Sequence, residues 1–236
     1  MAVLTLAGGC AIVAPGPVAP DAAAPPATTP TDATEASVPP VPPVPRGLLD
    51  GLRPVARAPA DVPAYRRDAF GTSWADVDGN GCNQRDDVLM RDAVPGTVRV
   101  GRQGRCDHDV LAGTWRDPYT GATIVLDDLK DPAQAQAVQI DHVVPLAEAW
   151  ISGAAQWSPR RRLRFANDLD GLLAVDGPTN AGKGADDPAS WRPRKAFQCA
   201  YAARWIRIKA RWDLGVDASE RAALREQLAT CPTAHR

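Results

Sequence analysis

Val138-Gln139-Ile140-Asp141-His142-Val143-Val144-Pro145 places a histidine directly beside a carboxylate at the end of an apolar alternation. Val138 and Ile140 read as the buried face of a strand, and Pro145 ends the strand while permitting a helix to start. Neighbouring side chains on a strand point to opposite faces, so Asp141 and His142 cannot perform the same task. One of them can hold a cation while the other faces substrate. Taken alone, the pair also fits a strand end with no chemistry, and what surrounds it decides between the two.

The chain divides by composition. Residues 15–45 hold eleven of the 23 prolines and no Lys or Arg. Such a segment buries too little apolar surface to fold, and residues 15–63 are expected to form a Pro/Ala-rich, disordered linker. Ahead of it, Ala2 to Ala14 is apolar yet too short to span a bilayer, which suits residues 1–14 to a secretory or lipoprotein-type signal. Leu6-Ala7-Gly8-Gly9-Cys10 resembles a lipobox, with Cys10 the candidate lipidated residue and membrane attachment its consequence. An extracellular or cell-envelope location follows, and residues 64–236 are left as the folded domain.

Four cysteines remain, Cys82, Cys106, Cys199 and Cys231, an even number in a chain that reads as exported. Three pairings are open. Cys82–Cys106 and Cys199–Cys231 are favoured because each closes a short local loop. Zinc is disfavoured because no CxxC pair is present.

The formal net charge is −1, and it becomes +2 once the acidic, base-free stretch through Pro45 is set aside. Arg160, Arg161, Arg162 and Arg164 cluster after the Asp-His pair. Arg192, Arg194, Lys195, Arg204, Arg207, Lys209 and Arg211 follow. Together they are candidates for a face that tracks phosphates, or else for a solvated helix surface. No obligate protein partner is evident.

Asp76-Val77-Asp78-Gly79-Asn80-Gly81 with Asp87 follows the oxygen spacing of a calcium loop, through Asp76, Asp78, Asn80 and Asp87. The same residues suit a tight Gly-rich turn held by Cys82. Val98 to Val100, Val110 to Trp115 and Ala122 to Leu126 read as short strands, with Asp117-Pro118-Tyr119-Thr120-Gly121 as a turn. His108 reads as a surface residue and His235 lies in the terminal tail. That leaves His142 as the histidine placed to act as a base. Leu146 to Ile151 and Pro159 to Ala166 read as helices. Leu172 to Val175 is a strand, followed by a helix near Asn180. Phe197, Tyr201, Trp205, Ile208 and Trp212 form a core-facing helical stripe, and Asp217 with Glu220 forms a capping box for a last helix.

Gly177-Pro178-Thr179-Asn180-Ala181-Gly182-Lys183 matches most of a phosphate-binding P-loop. Gly184 stands where the magnesium-holding Ser or Thr belongs, and too few strands follow for a nucleotide-binding sheet. An NTPase is therefore disfavoured. Taken in order, Asp141-His142-Val143-Val144-Pro145, Phe165-Ala166-Asn167-Asp168-Leu169 and Asn180-Ala181-Gly182-Lys183-Gly184 resemble the three successive signatures of the ββα-metal, or HNH, endonucleases. The Asp78 to Cys82 turn, the Asp117 to Gly121 turn and the Cys199 region resemble a secreted bacterial branch with a GmrSD-like C-terminal domain. Gly171 and Ala181-Gly182 depart from that pattern.

This resemblance implies an α+β fold with an HNH core over residues 138–192, an N-terminal hairpin and turn region, C-terminal helices and two disulfides. It implies a metal-dependent endonuclease acting on nucleic acid, with DNA favoured. Asp141 and Asn180 would ligate one Mg2+ or Mn2+ ion, hard oxygen donors favouring these ions. His142 would act as general base, its tautomer fixed by a backbone carbonyl or amide. The resemblance gives Asn167 a bracing role, while Lys183 and Arg160, Arg161 and Arg162 are candidates for phosphate contact. The alternative from another class is a secreted, non-catalytic, calcium-binding envelope module built on the loop at Asp76.

Overall fold

A computed structural model of the chain describes residues 42–45 and 47–232. The signal-like segment with Cys10, most of the Pro-rich stretch and His235 lie outside the described residues. Seven α-helices and five strands are present among those described. They run α1 (Gln84–Asp92), β1 (Arg99–Gln103), β2 (Cys106–Arg116), β3 (Thr123–Leu126), α2 (Pro132–Ala135), β4 (Val138–His142), α3 (Leu146–Ser152), α4 (Pro159–Ala166), β5 (Leu172–Asp176), α5 (Gly177–Lys183), α6 (Lys195–Trp212) and α7 (Ala218–Leu228). The expected α+β class is what forms.

The strands make two antiparallel sheets, a three-stranded one in the order β1-β2-β3 and the ribbon β4-β5. In the ribbon Ile140 faces Ala174 and His142 faces Leu172. One face of the ribbon carries Val138, Ile140, Leu172 and Ala174, which pack with Val88, Leu89, Trp115 and Leu126. Helix α1 thus joins the two sheets across one apolar layer, and the Trp115 indole donates to the Leu89 carbonyl at 2.9 Å to fix the contact. The opposite face presents Leu173 and Val175 to a second core built from α3, α4, α6 and α7. Side chains two apart on a strand share a face, so the alternation in the sequence delivers one set to each core.

Polar ties hold the ribbon in register. The Asp92 carboxylate accepts from the Ala174 amide at 2.9 Å, and Arg91 donates to the carbonyls of Leu169 and Leu172. Asp117, in the turn after β2, accepts from the Asp176 amide at 3.1 Å. Cys82 pairs with Cys106 and Cys199 with Cys231, the two bridges expected from loop length.

The linker ends earlier than expected. Leu49 and Leu52 are buried in the helical core, and the Val55 amide donates to the Val216 carbonyl, so residues well before position 64 belong to the fold. Their two leucines supply apolar burial that the Pro-rich composition upstream lacks.

Helix α6 does not present the basic face its sequence suggests. Lys209 is fully buried between Glu148 and Glu220, Arg204 is buried, and Arg211 pairs with Asp170. Of the cluster on α4, Arg161 lies over the Trp157 ring at 4.5 Å and donates to the Trp212 carbonyl. Arg162 donates to the carbonyls of Ala69 and Trp157, while Arg160 and Arg164 are exposed. Most of these cations bind the protein's own carbonyls and acids.

Candidate active site

Helix α5 leaves β5 without a loop and turns back along the ribbon. Asp176 caps it, accepting from the Thr179 amide and hydroxyl, and Pro178 lies in its first turn. Gly177 is required here, because a Cβ would sit 1.9 Å from the Gln136 carbonyl oxygen. The helix lies over the face of β4 that carries Gln139 and Asp141. Positions three apart on the helix meet positions two apart on the strand: Asn180 Nδ2 donates to Gln139 Oε1 at 2.9 Å, and Lys183 Nζ donates to Asp141 Oδ1 at 2.9 Å.

The seven residues resembling a P-loop are therefore the body of α5. A P-loop wraps phosphate with backbone amides ahead of its helix, whereas here the Gly177 amide is spent on the Ala137 carbonyl and the Thr179 amide on the Asp176 carboxylate, and Pro178 has none to offer. Lys183, a candidate for phosphate contact, is buried and points inward, where it also reaches the His142 carbonyl at 3.0 Å.

Asp141 is buried beneath this helix. Its Oδ2 accepts a short hydrogen bond from the Tyr119 hydroxyl, which comes from the Asp117 to Gly121 turn. Tyr119 packs edge-on against Trp191 and Tyr201. Burial and the neighbouring Asp141 charge hold its hydroxyl well above the ordinary tyrosine range, so it remains a donor.

His142 faces away from Asp141. Its Nε2–H donates to the Ala166 carbonyl at the end of α4, 2.8 Å away. That bond puts the proton on Nε2 and leaves Nδ1 as the basic nitrogen. The backbone carbonyl expected to set the tautomer is thus present. Trp74 stacks on the ring, centroids 5.7 Å apart and planes within 15°. Burial pushes the imidazole pKa down to about 4, against the pull of the Ala166 carbonyl and of Asp141. The ring is neutral at pH 7.

Asn167, next to Ala166, donates from Nδ2 to the Leu163 carbonyl at 2.9 Å and caps α4. It steadies the turn that carries the His142 acceptor, while its own Oδ1 is buried without a partner among the described residues. Asp168, next in the chain, accepts from the Trp212 indole at 2.8 Å.

A cavity of about 280 Å3 opens at the end of β4 and is lined by Asp141, His142 and Asn180 together with Tyr65 and Arg67. Asp141 spends one lone pair of each oxygen on Lys183 and Tyr119, and each oxygen keeps another. Asn180 commits its nitrogen to Gln139, which leaves Oδ1 as the free coordinating atom. A carboxylate and an amide oxygen line one polar cavity, the donor types a hydrated hard cation takes, with the Lys183 ammonium already on the carboxylate.

The loop at Asp76 is closed on its own backbone. Asp76 accepts from the amides of Gly79 and Gly81, Asp78 from that of Asn80, and Asn80 bonds both the Cys82 amide and Asp87. His108 is no free surface residue. It lies 2.7 Å from Asp87 and 2.8 Å from Asp107, and these bonds outweigh the opposing effect of burial and raise its pKa. His108 and the paired Cys82 and Cys106 lie together, but the disulfide has consumed both thiolates that would bind a metal.

Tyr119, Trp74 and Arg67 also border the site, and no local sequence signal marks them as part of it. The turn chemistry around Tyr119 was legible, but the partner of its hydroxyl lies 22 residues away and only the fold brings them together.

Three comparisons with known proteins bear on this geometry. The family described as GmrSD restriction endonucleases, C-terminal domain, matches residues 84–227. An uncharacterized secreted protein of Arthroderma benhamiae is 41% identical over 189 residues, 79% of this chain and 84% of its own length. That relative is fungal, whereas the sequence resemblance pointed to a bacterial branch. No solved structure matches the chain. The family match spans both sheets, helix α5 and the Asp141–His142 pair, and on it the chain belongs to the GmrSD restriction endonuclease C-terminal domain family.

Proposed function

We propose that this protein is a secreted nuclease of the HNH type, hydrolysing phosphodiester bonds with one divalent metal ion and a histidine base, with DNA its favoured substrate. The single observation carrying this reading is that His142, its proton fixed on Nε2 by the Ala166 carbonyl, lines the same cavity as Asp141 and Asn180. Strand β4 supplies Asp141 and His142 and helix α5 supplies Asn180, with β5 between them, the order the HNH resemblance gives.

In this reading Asp141 and Asn180 hold Mg2+ or Mn2+ through oxygen. An ion bound there would offset the charge of a phosphate oxygen and of the leaving 3′-oxygen. Everything else falls to the chain. His142, neutral at pH 7, accepts the proton of the attacking water at Nδ1. Ala166 holds the ring through Nε2, and Asn167, bonded to the Leu163 carbonyl, caps the helix end that carries Ala166. Lys183 and Tyr119 fix the Asp141 carboxylate so that it need not reorganise when a cation arrives. Secretion is supported by the Arthroderma relative's description and by two disulfides, which persist in oxidising compartments.

The test is incubation with supercoiled plasmid in Mg2+ or Mn2+, with and without chelator. Nicking by the wild type that chelator and His142→Ala each abolish supports the reading, and equal inertness of both proteins with either metal removes it. Calorimetric titration of Mn2+ against Asp141→Ala and Asn180→Ala checks the ligand set apart from activity.

A further inference from the structure

The cavity holding Asp141, His142 and Asn180 is completed by a segment outside the family match. Residues 84–227 contain the ribbon and α5, while Tyr65, Arg67 and Trp74 come from the chain ahead of them. This segment forms a single turn of 3-10 helix, Arg67 to Phe70, anchored by Phe70, which is buried against Trp150 and Phe165. Its position is therefore set by packing rather than by the exposed residues on it.

The charges on that turn are unequal. Arg66 is neutralised by Asp68, with which it pairs through two nitrogens. Arg67 has no carboxylate within ion-pair distance among the described residues. Its charge is felt at the Tyr65 hydroxyl and at the His142 ring. It is exposed and lines the cavity beside His142. Inside the cavity, the one carboxylate, Asp141, is already balanced by Lys183. The surplus charge at the mouth is therefore the Arg67 guanidinium. A guanidinium presents a planar fork of donors matched to the oxygens of a phosphate, and exposure leaves that fork open.

We infer that Arg67 is a phosphate-binding residue of this site, holding the scissile phosphodiester or the phosphate next to it. This deepens the nuclease reading above and rests on it. It also gives residues 65–74 a purpose, since they bring to the cavity a cation that the matched domain does not supply.

The test uses the full chain and a short single-stranded oligonucleotide, with affinity followed by fluorescence anisotropy in chelator over a range of salt. For Arg67→Ala the slope of log affinity against log salt should shrink by about 0.7, the value of one phosphate contact on a single strand. Arg67→Lys should keep the slope, because it keeps the charge. A folded Arg67→Ala with wild-type affinity and slope overturns the inference, as does a folded wild type with no oligonucleotide affinity. Cleavage is read separately. A wild type inert on plasmid whose oligonucleotide binding still depends on Arg67 sinks the nuclease reading and keeps the phosphate site. Plasmid cleavage with binding indifferent to Arg67 does the reverse.

Discussion

Lys183 Nζ lies 2.9 Å from Asp141 Oδ1, with both side chains almost wholly shielded from water. A buried ammonium is tolerated only when its charge is met, and here one carboxylate oxygen and the His142 carbonyl meet it. Removing one partner leaves the other charged and buried. Lys183→Met should therefore destabilise the domain by about 3 kcal/mol or more, the usual cost of breaking such a pair. The double variant Lys183→Met with Asp141→Asn should recover part of that loss. Urea denaturation of the three proteins measures both, and a double variant no more stable than the single would show that the pair is not coupled.

The depressed pKa of His142 makes a statement about pH. A histidine held at about 4 in the folded chain and near its ordinary value when unfolded binds fewer protons folded than unfolded between those limits. The stability it contributes is thus present above about 6.5 and is lost as pH falls toward 4. For catalysis, the base should stay competent in mildly acidic solution. The acid limb of the cleavage rate should lie well below the 6.5 of an unperturbed imidazole, and the His142 ring resonances followed by NMR should titrate with it. An acid limb at the ordinary histidine value would show that the ring is not shielded as the structure has it.

How far the sequence shows this site depends on the distance over which each group acts. The alternation of Val138, Ile140 and His142 predicts a strand and opposite directions for Asp141 and His142, because strand periodicity is local. Pro145, Pro159 and Pro178 mark helix starts for the same reason, and each helix begins there or one residue away. Lys183 reads as a candidate for phosphate contact because nothing local reveals that α5 lays it on Asp141. Lys209 falls into an apparent basic run, and its burial depends on Glu148, 61 residues away. The short loops closed by Cys82–Cys106 and Cys199–Cys231 are visible in the spacing. Arg67 is not, since its role is set by where Phe70 packs.

Trp74 holds a backbone φ of 56°, a conformation side chains other than glycine seldom adopt, and its ring lies flat on His142. In the proposed nuclease it would act on the chemistry through the imidazole, as a positioning residue. Trp74→Ala should lower kcat with little change in KM. It should also raise the acid limb toward 6.5, because the ring loses its apolar cover. Trp74→Gly should be at least as stable as Trp74→Ala, since glycine takes positive φ without strain. Cleavage profiles against pH and thermal melts of the two variants decide this. An unmoved acid limb in Trp74→Ala would reduce the stack to packing alone.

Lys209 sits in the helical core between two acids, its Nζ 2.7 Å from Glu148 Oε1 and 2.6 Å from Glu220 Oε1, and it also reaches the Gly215 carbonyl. Two carboxylates share one ammonium, so one negative charge is in excess. Burial first, with the nearby Glu148 charge adding to it and Lys209 opposing, pushes Glu220 up to about 7. A carboxyl with a raised folded pKa contributes stability that is complete below its unfolded value. That contribution is lost as pH rises through the folded value, here between about 4.5 and 7. Glu220→Gln keeps a one-to-one ion pair and removes the excess charge, so its stability should vary less than the wild type's across that window. Lys209→Met leaves both acids without their cation and should destabilise by about 3 to 5 kcal/mol at pH 8. Urea midpoints measured at pH 5, 6, 7 and 8 separate these outcomes. If Glu220→Gln follows the wild-type curve in parallel, the excess charge is not on Glu220 and Glu148 must carry it.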